Sequence, residues 1–136
     1  MNSRRNASAP RPTRFAWLPA FAYMALIFFM SSRHSLVESV PRHWRFRLID
    51  KVGHLGEYGL LAALLRRPVR DSRLARALGA GAAVVLIASL YGASDELHQY
   101  FVPYRSCELG DWLSDTLGAA IAVALLGRLA PPASGA

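Results

Sequence analysis

The sequence has a single cysteine and few acidic residues. Cys107 has no second cysteine to pair with, so an intramolecular disulfide and a thiolate metal cluster are both excluded. The chain carries nine Asp and Glu against sixteen Lys and Arg, and only 18% of its residues are charged. Hydrophobic residues make up 53% of the 136 positions. This composition excludes a disordered or acidic interaction protein and indicates one folded domain.

The net charge of +7 does not indicate a nucleic-acid-binding protein. The basic residues are nearly all Arg and lie between apolar runs, with no basic face and no recognisable nucleic-acid-binding module. Arginine beside apolar segments is typical of small membrane proteins, in which basic residues concentrate on the cytoplasmic side. We therefore expect the lipid bilayer, and not nucleic acid, to be the main partner.

Four apolar segments predict membrane-spanning helices, at residues 15–32, 50–65, 77–101 and 110–129. Their lengths approach or exceed the ~20 residues that cross a bilayer, although the second is short. The first is interpreted as a retained anchor, because its exit lacks the small-residue pattern of a signal-peptide cleavage site. The sequence predicts an all-α, four-transmembrane-helix bundle over residues 15–129, with disordered tails at 1–14 and 130–136. Segment 33–49 fits a surface-lying stretch or a solvated loop equally well.

The distribution of basic residues predicts the orientation of the four spans. Ten Lys and Arg fall on the side that holds both tails and the loop 66–76, and six fall on the opposite side. This bias favours cytoplasmic termini in a multi-pass protein of the cytoplasmic (inner) membrane, even though the loop after the first span is also basic.

The ionisable residues concentrate where the predicted spans meet on the other side. The second helix starts there, the third ends there and the fourth starts there, and each carries its charges at that end. An ionised side chain at the centre of a span costs on the order of 2.5–3.5 kcal/mol, so such groups persist when they pair or face water. The sequence therefore predicts a polar cluster at one membrane face, forming a single outward-facing cavity.

Three motifs carry a resemblance to a known family. They are D-K-x-x-H-x-x-E-Y at 50–58, D-E-x-x-Q-x-F-V-P-x-R at 95–105 and D-x-x-x-D-x-x-G at 111–118. Together and in this order they resemble the VanZ-like family, small membrane proteins named for a member linked to resistance against the glycopeptide antibiotic teicoplanin. The resemblance implies a four-helix cell-envelope protein with an extracytoplasmic polar cluster. Many relatives have Asn where this chain has Asp115.

The cluster supports three hypotheses. In the first, an enzyme acts on a lipid headgroup or a lipid-linked cell-wall precursor: Asp95 or Glu96 tunes His54, and Arg105 with Lys51 holds a phosphate or carboxylate. Its candidate catalytic residues are His54, Glu57, Asp95, Glu96 and Arg105. Its candidate substrate-binding residues are Asp50, Lys51, Tyr58, Gln99, Asp111 and Asp115.

The second hypothesis is a divalent metal held by the carboxylates and His54, with no specific ligand set indicated by the spacing. The third is non-catalytic: the cavity binds a lipid or glycopeptide, or the ion pairs only fix the packing of the helices. No nucleophile motif accompanies any of the serines.

Overall fold

The computed structural model describes residues 14–32, 44–103 and 107–129, and within these ranges the regular structure is entirely helical. The all-α fold class is therefore confirmed. The elements are a 3₁₀ turn Arg14–Trp17, α1 (Leu18–Ser31), α2 (Trp44–Val69), α3 (Arg73–Leu78), α4 (Ala80–Tyr100) and α5 (Leu109–Leu129). The predicted disordered tails, apart from Arg14, lie outside the described residues.

Two of the described helices, α4 and α5, are long and apolar enough to cross a membrane by length and composition. The apolar stretch Phe15–Ser31 is shorter. Helix α2 has ample length at 26 residues, but its first half carries several charged side chains. Length and composition therefore support two of the four predicted spans directly.

Helix α2 differs from its predicted bounds at both ends. It begins at Trp44 instead of Asp50, so the end of segment 33–49 is helical. No Gly or Pro lies between Trp44 and Val52 to stop a helix in this stretch. At its other end α2 continues past the predicted residue 65: Pro68 lies in its last turn, and the helix ends one residue later at Val69. A proline there removes a single intrahelical hydrogen bond close to a terminus that already lacks several.

The predicted third helix is divided at Gly79. This glycine has φ +85°, a backbone conformation that side chains with a Cβ rarely adopt. Its N–H donates to the Ala75 carbonyl at 2.9 Å, and its own carbonyl accepts from the Ala83 N–H at 3.0 Å. Residues 73–78 form α3, with Ser72 as the N-cap that accepts from the Ala75 N–H. The predicted basic loop 66–76 thus includes the start of a short helix.

Helix α2 is central to the packing. It packs most extensively on α5, while α4 packs against both, and α1 contacts α2 and α4 at their edge. The closest approach is at Gly118 of α5, which lies directly against the backbone of Leu55. The core between these helices combines small residues with a few large ones: Tyr58, Leu61, Ala62, Leu65, Val69, Ala83, Val84, Ala88 and Ala119.

The outer surface of the long helices is apolar, whereas several acids lie inside. Large hydrophobic side chains are exposed along all four long helices, including Phe21, Phe29, Leu60, Leu90, Leu117 and Leu125. The buried polar side chains are Ser31, Asp95, Glu96, Gln99, Asp111 and Asp115. This is the reverse of the distribution that a protein in water adopts. The candidate site lies among these buried polar side chains.

Candidate functional site

Helices α1, α2 and α4 enclose a pocket of about 340 Å³, which we call the headgroup pocket. Three of its lining residues are apolar, namely Ile27, Met30 and Ile49. The other lining residues are polar or small: Ser31, Asp50, Gly53, His54, Glu57, Asp95 and Gln99. Five of the residues predicted from the sequence therefore border one space.

The register of α2 explains why four of these residues share the pocket. Asp50, Gly53, His54 and Glu57 follow helical spacing and lie on one face of the helix. The α4 contribution follows the same rule, because Asp95 and Gln99 are one turn apart. The predicted convergence of α2 and α4 is thus present in the described structure.

His54 is held in place by Asp115 from α5. The His54 Nδ1 and the Asp115 Oδ1 are 2.8 Å apart, and the Asp115 side chain is 1% exposed. The carboxylate that contacts His54 is therefore Asp115, and not Asp95 or Glu96 as the sequence led us to expect. Because Nδ1 is engaged, Nε2 is the ring nitrogen through which His54 can exchange a proton with a ligand.

Asp95 forms a separate set of hydrogen bonds on the α1 side. Its Oδ1 accepts from the Ser31 hydroxyl at 2.6 Å, and its Oδ2 accepts from the Gln99 side-chain amide at 3.1 Å. Two donors thus satisfy this buried carboxylate and fix its orientation at the pocket wall. A neighbouring contact between His98 and Ser32, at 2.9 Å, ties the same ends of α1 and α4 together. His98 is half-buried between these helices, and its ring lies against that of Phe28.

Lys51, Glu96, Glu108 and Asp111 form a second group beside the start of α5, which we call the loop-side cluster. The Lys51 ammonium donates to Asp111 and to Glu108, the latter at 3.3 Å. Glu96 accepts from the Glu108 backbone N–H at 2.8 Å. The cluster joins α2, α4 and α5. Lys51 and Glu96 are therefore directed to this cluster and do not line the headgroup pocket.

Tyr58 and Asp115 lie behind the pocket instead of lining it. Tyr58 is fully buried, and its hydroxyl has no hydrogen-bond partner among the described residues. Gly92 of α4 makes room for both side chains, since a Cβ there would lie 3.0 Å from Asp115 Oδ2 and 3.3 Å from the Tyr58 ring. Tyr58 and Asp115, two of the predicted substrate-binding residues, therefore support the site from the interior of the helix bundle.

The sequence did not indicate some of the residues at the site, and one predicted site residue lies outside the described residues. The apolar wall of Ile27, Met30 and Ile49 has no distinguishing pattern, because many other apolar residues in these helices look the same in sequence. Glu108, which contacts Lys51, was not among the site residues predicted from the sequence. Arg105, a predicted catalytic residue, lies outside the described residues.

Three ligand-type side chains come close enough to hold a cation. Donor atoms of Asp50, His54 and Asp111 all lie within 4.8 Å of one another. Two carboxylates and an imidazole suit Mn²⁺ or Zn²⁺. Asp111 already accepts from Lys51, so a bound metal would compete with that ammonium. The predicted metal hypothesis thereby gains a specific candidate ligand set.

Comparison with protein families decides the identity. The VanZ/LLP1 family model matches residues 2–130 of the 136. The chain belongs to the VanZ/LLP1 family. No curated protein and no solved structure matches it. The VanZ/LLP1 match spans all five helices, so the headgroup pocket and the loop-side cluster both lie within the family's domain.

Cys107, in the connection between α4 and α5 of this VanZ/LLP1 chain, is not positioned as a nucleophile. Its side chain is exposed. Partial desolvation, followed by the nearby Glu96 carboxylate, raises the pKa of its thiol above the ordinary value. A thiol of raised pKa forms less thiolate at neutral pH. This agrees with the absence of a nucleophile motif in the sequence.

Proposed function

We propose that this VanZ/LLP1 protein is a four-span protein of the cytoplasmic membrane, with both termini cytoplasmic. In this arrangement α4 and α5 cross the bilayer fully, while Phe15–Ser31 and the apolar second half of α2 complete the bundle. The exposed apolar side chains on all four long helices support the proposal, because they suit contact with lipid. The buried acids support it as well, since ionisable groups in a membrane bundle face its interior.

We further propose that the headgroup pocket opens outward and binds the polar end of an amphiphile of the cell envelope. The amphiphile would be a lipid headgroup, a lipid-linked cell-wall precursor or a glycopeptide, the last of which would account for antibiotic resistance. One observation carries this proposal: side chains from three helices border a single pocket that is lined by both apolar residues and carboxylates. Such a pocket matches a molecule with an apolar and a polar part.

His54 is the residue best placed for acid–base chemistry on a bound headgroup. It lines the pocket and is oriented by a buried carboxylate, which is the arrangement that general acid–base catalysis uses. Glu57 and Asp95 border the same space and are the further catalytic candidates. The catalytic roles of Glu96 and Arg105 remain predictions of the sequence motif.

Isosteric replacements in the pocket test the proposal. We expect His54→Gln and Asp95→Asn to accumulate in the membrane at normal levels while losing protection against a glycopeptide in a sensitive host. Asp71→Asn is the matched control, since it makes the same change at an exposed acid outside the pocket. Normal protection by both pocket variants would contradict the proposal.

A divalent metal site is a second candidate, favoured by the proximity of Asp50, His54 and Asp111. If these residues bind a metal, purified protein should retain a stoichiometric amount of Mn²⁺ or Zn²⁺ after dialysis. Asp111→Asn should then release the ion, whereas Asp71→Asn should not. Metal-free protein that still protects the host would exclude a metal-dependent activity.

A purely structural role is favoured by the contacts between α2 and α5. Two contacts join these helices within one turn of α2: Lys51 with Asp111, and His54 with Asp115. If the polar groups only fix the packing, every replacement among them should lower accumulation in proportion to the loss of activity. Stable, inactive variants would instead identify a functional pocket.

A further inference from the structure

We infer that the headgroup pocket selects a positively charged headgroup: an ammonium group carried on an apolar chain. The inference rests on the proposed function, because it assumes that the pocket binds an amphiphile, and it adds the charge of the ligand. It follows from where the charged side chains of the described residues lie and from what each of them already contacts.

The polar wall of the pocket is acidic. Asp50 and Asp95 border the pocket from two different helices, and no Lys or Arg is among the described residues that line it. Asp95 is held rigidly by Ser31 and Gln99. Its two donors fix its position without adding a positive charge, so its negative charge is not neutralised within the described contacts. A cation entering the pocket meets a carboxylate that is already oriented.

The nearest described cations are committed elsewhere. The Lys51 ammonium binds Asp111 and Glu108 in the loop-side cluster. His54 is paired with Asp115, which is almost completely buried. A positive charge on His54 would be shared between Asp115 and the nearby Asp50. The described hydrogen bonds of Asp95, on the other helix, are instead with the uncharged donors Ser31 and Gln99. The pocket keeps its acidic character in either protonation state of His54.

The apolar wall indicates that the cation is attached to a chain. Ile27, Met30 and Ile49 line the pocket together with the carboxylates, and the volume of about 340 Å³ is at the small end of the range for organic ligands. A bare metal ion would leave most of this space empty and would gain nothing from the apolar wall. An alkylammonium fills both parts of the pocket.

Because the protein as a whole is positively charged, a preference for a cationic ligand would identify a local acidic site. With a net charge of +7, the molecule as a whole attracts anions from solution. Non-specific binding therefore favours an anionic amphiphile. A preference for a cationic amphiphile would have to come from a local acidic site.

Equilibrium binding to the full chain in a neutral detergent tests the inference, with dodecylammonium and dodecyl phosphate as matched probes. We expect dodecylammonium to bind at least tenfold more tightly than dodecyl phosphate. Asp50→Asn and Asp95→Asn should each weaken dodecylammonium binding by roughly tenfold, as expected for the loss of one charge-assisted contact. Asp71→Asn, which changes an exposed acid at the α2–α3 turn, should bind as the unmodified chain does. Asn at position 95 keeps an acceptor for Ser31, and accumulation of each variant checks folding.

The outcomes separate the charge preference from the proposed function. Tighter binding of dodecyl phosphate, lost in His54→Gln, would overturn the charge preference and leave amphiphile binding in place. Failure of both probes to bind would overturn both. Competition by phosphatidylethanolamine in lipid nanodiscs would support a lipid headgroup as the source of the ammonium. Equally strong competition by putrescine, which has no apolar chain, would contradict the role of the apolar wall.

Discussion

At the scale of single residues, the contact between His54 and Asp115 has the largest consequences. It joins α2 to α5 through a hydrogen bond of 2.8 Å and orients the imidazole whose other nitrogen is available to the pocket. An amide oxygen can accept from the same imidazole N–H, so the hydrogen bond does not require a charge.

The contact between His54 and Asp115 gives a prediction at position 115. Asp115→Ala should lower the free energy of unfolding by on the order of 3 kcal/mol, because it leaves a part-buried imidazole without its partner. Asp115→Asn should cost much less, because the amide still accepts from His54. Thermal unfolding of the detergent-solubilised variants measures both, with Asp71→Ala as the surface control. Equal losses for Ala and Asn would show that the charge of Asp115, and not its hydrogen bond, holds His54.

The sequence predicts which residues lie side by side within one helix, because helical spacing alone decides this. Helical spacing puts Asp50, His54 and Glu57 on one face of α2, and all three border the same pocket. Which residue of one helix contacts which residue of another depends on the rotation and depth of each helix. For that reason the partner of His54 and the direction of Lys51 required the structure.

At the scale of helices, the close approach of α2 and α5 determines the shape of the site. Gly118 lies against the backbone of Leu55, one residue after His54. Small residues at a crossing allow two backbones to approach closely, as is common between membrane helices. The crossing thereby brings Asp115, one turn before Gly118, within reach of His54.

A Cβ at position 118 would disturb this crossing. It would overlap the Leu55 carbonyl oxygen and lie 2.8 Å from the Leu55 Cα, so the two helices would have to separate. We expect Gly118→Ala to lower the free energy of unfolding by about 1–3 kcal/mol and to weaken ligand binding by displacing Asp115. Thermal unfolding and binding measurements check both effects.

Gly127→Ala is the matched control, because a Cβ at that position on the same helix meets no atom within 4 Å. This substitution should leave stability unchanged or raise it slightly, since alanine favours a helix more than glycine does. If Gly118→Ala were as stable as Gly127→Ala, the crossing would not be as close as described.

Helix boundaries were predicted less well than helix existence. The four apolar runs each correspond to a helix, because apolar composition over such lengths leaves few alternatives. The break at Gly79 was not predicted, since a glycine within an Ala- and Gly-rich run continues a helix in many proteins and only its positive φ marks the end of one. The start of α2 at Trp44 was missed because its alternation of apolar and basic residues also suits a surface strand or loop.

At the scale of the whole molecule, the proposed topology places the α4–α5 connection outside the cell and the α2–α3 turn inside. Cys107 provides a natural probe, because it is exposed and is the chain's one cysteine. A membrane-impermeant maleimide should label Cys107 in intact spheroplasts at mildly alkaline pH. In a Cys107→Ser background, Asp71→Cys should react only after the membrane is opened. The reverse pattern would invert the topology.

The order of the long helices and the end at which the acids gather could be predicted from charge and hydropathy, because both depend on composition along the chain. The apolar wall and the division of the charges into a pocket and a loop-side cluster depend on how α1 packs at the edge of the bundle. Ser31 and Tyr91, which bonds the Met24 carbonyl at 2.6 Å, fix that edge. Neither contact can be deduced from the sequence of either helix alone.

The central claim is that the headgroup pocket is open to water from outside the cell, and Gly53→Cys in a Cys107→Ser background tests it most directly. Gly53 lines the pocket, and a Cβ there meets no atom within 4 Å, so the thiol should fit without displacing its neighbours. In intact spheroplasts, a cationic membrane-impermeant thiosulfonate should modify this cysteine rapidly. Leu90→Cys, on the surface of α4 that the proposed function turns towards lipid, should remain unmodified although the Leu90 side chain is exposed in the isolated chain. Modification of Gly53→Cys only after the membrane is opened, or at the slow rate of Leu90→Cys, would contradict the claim.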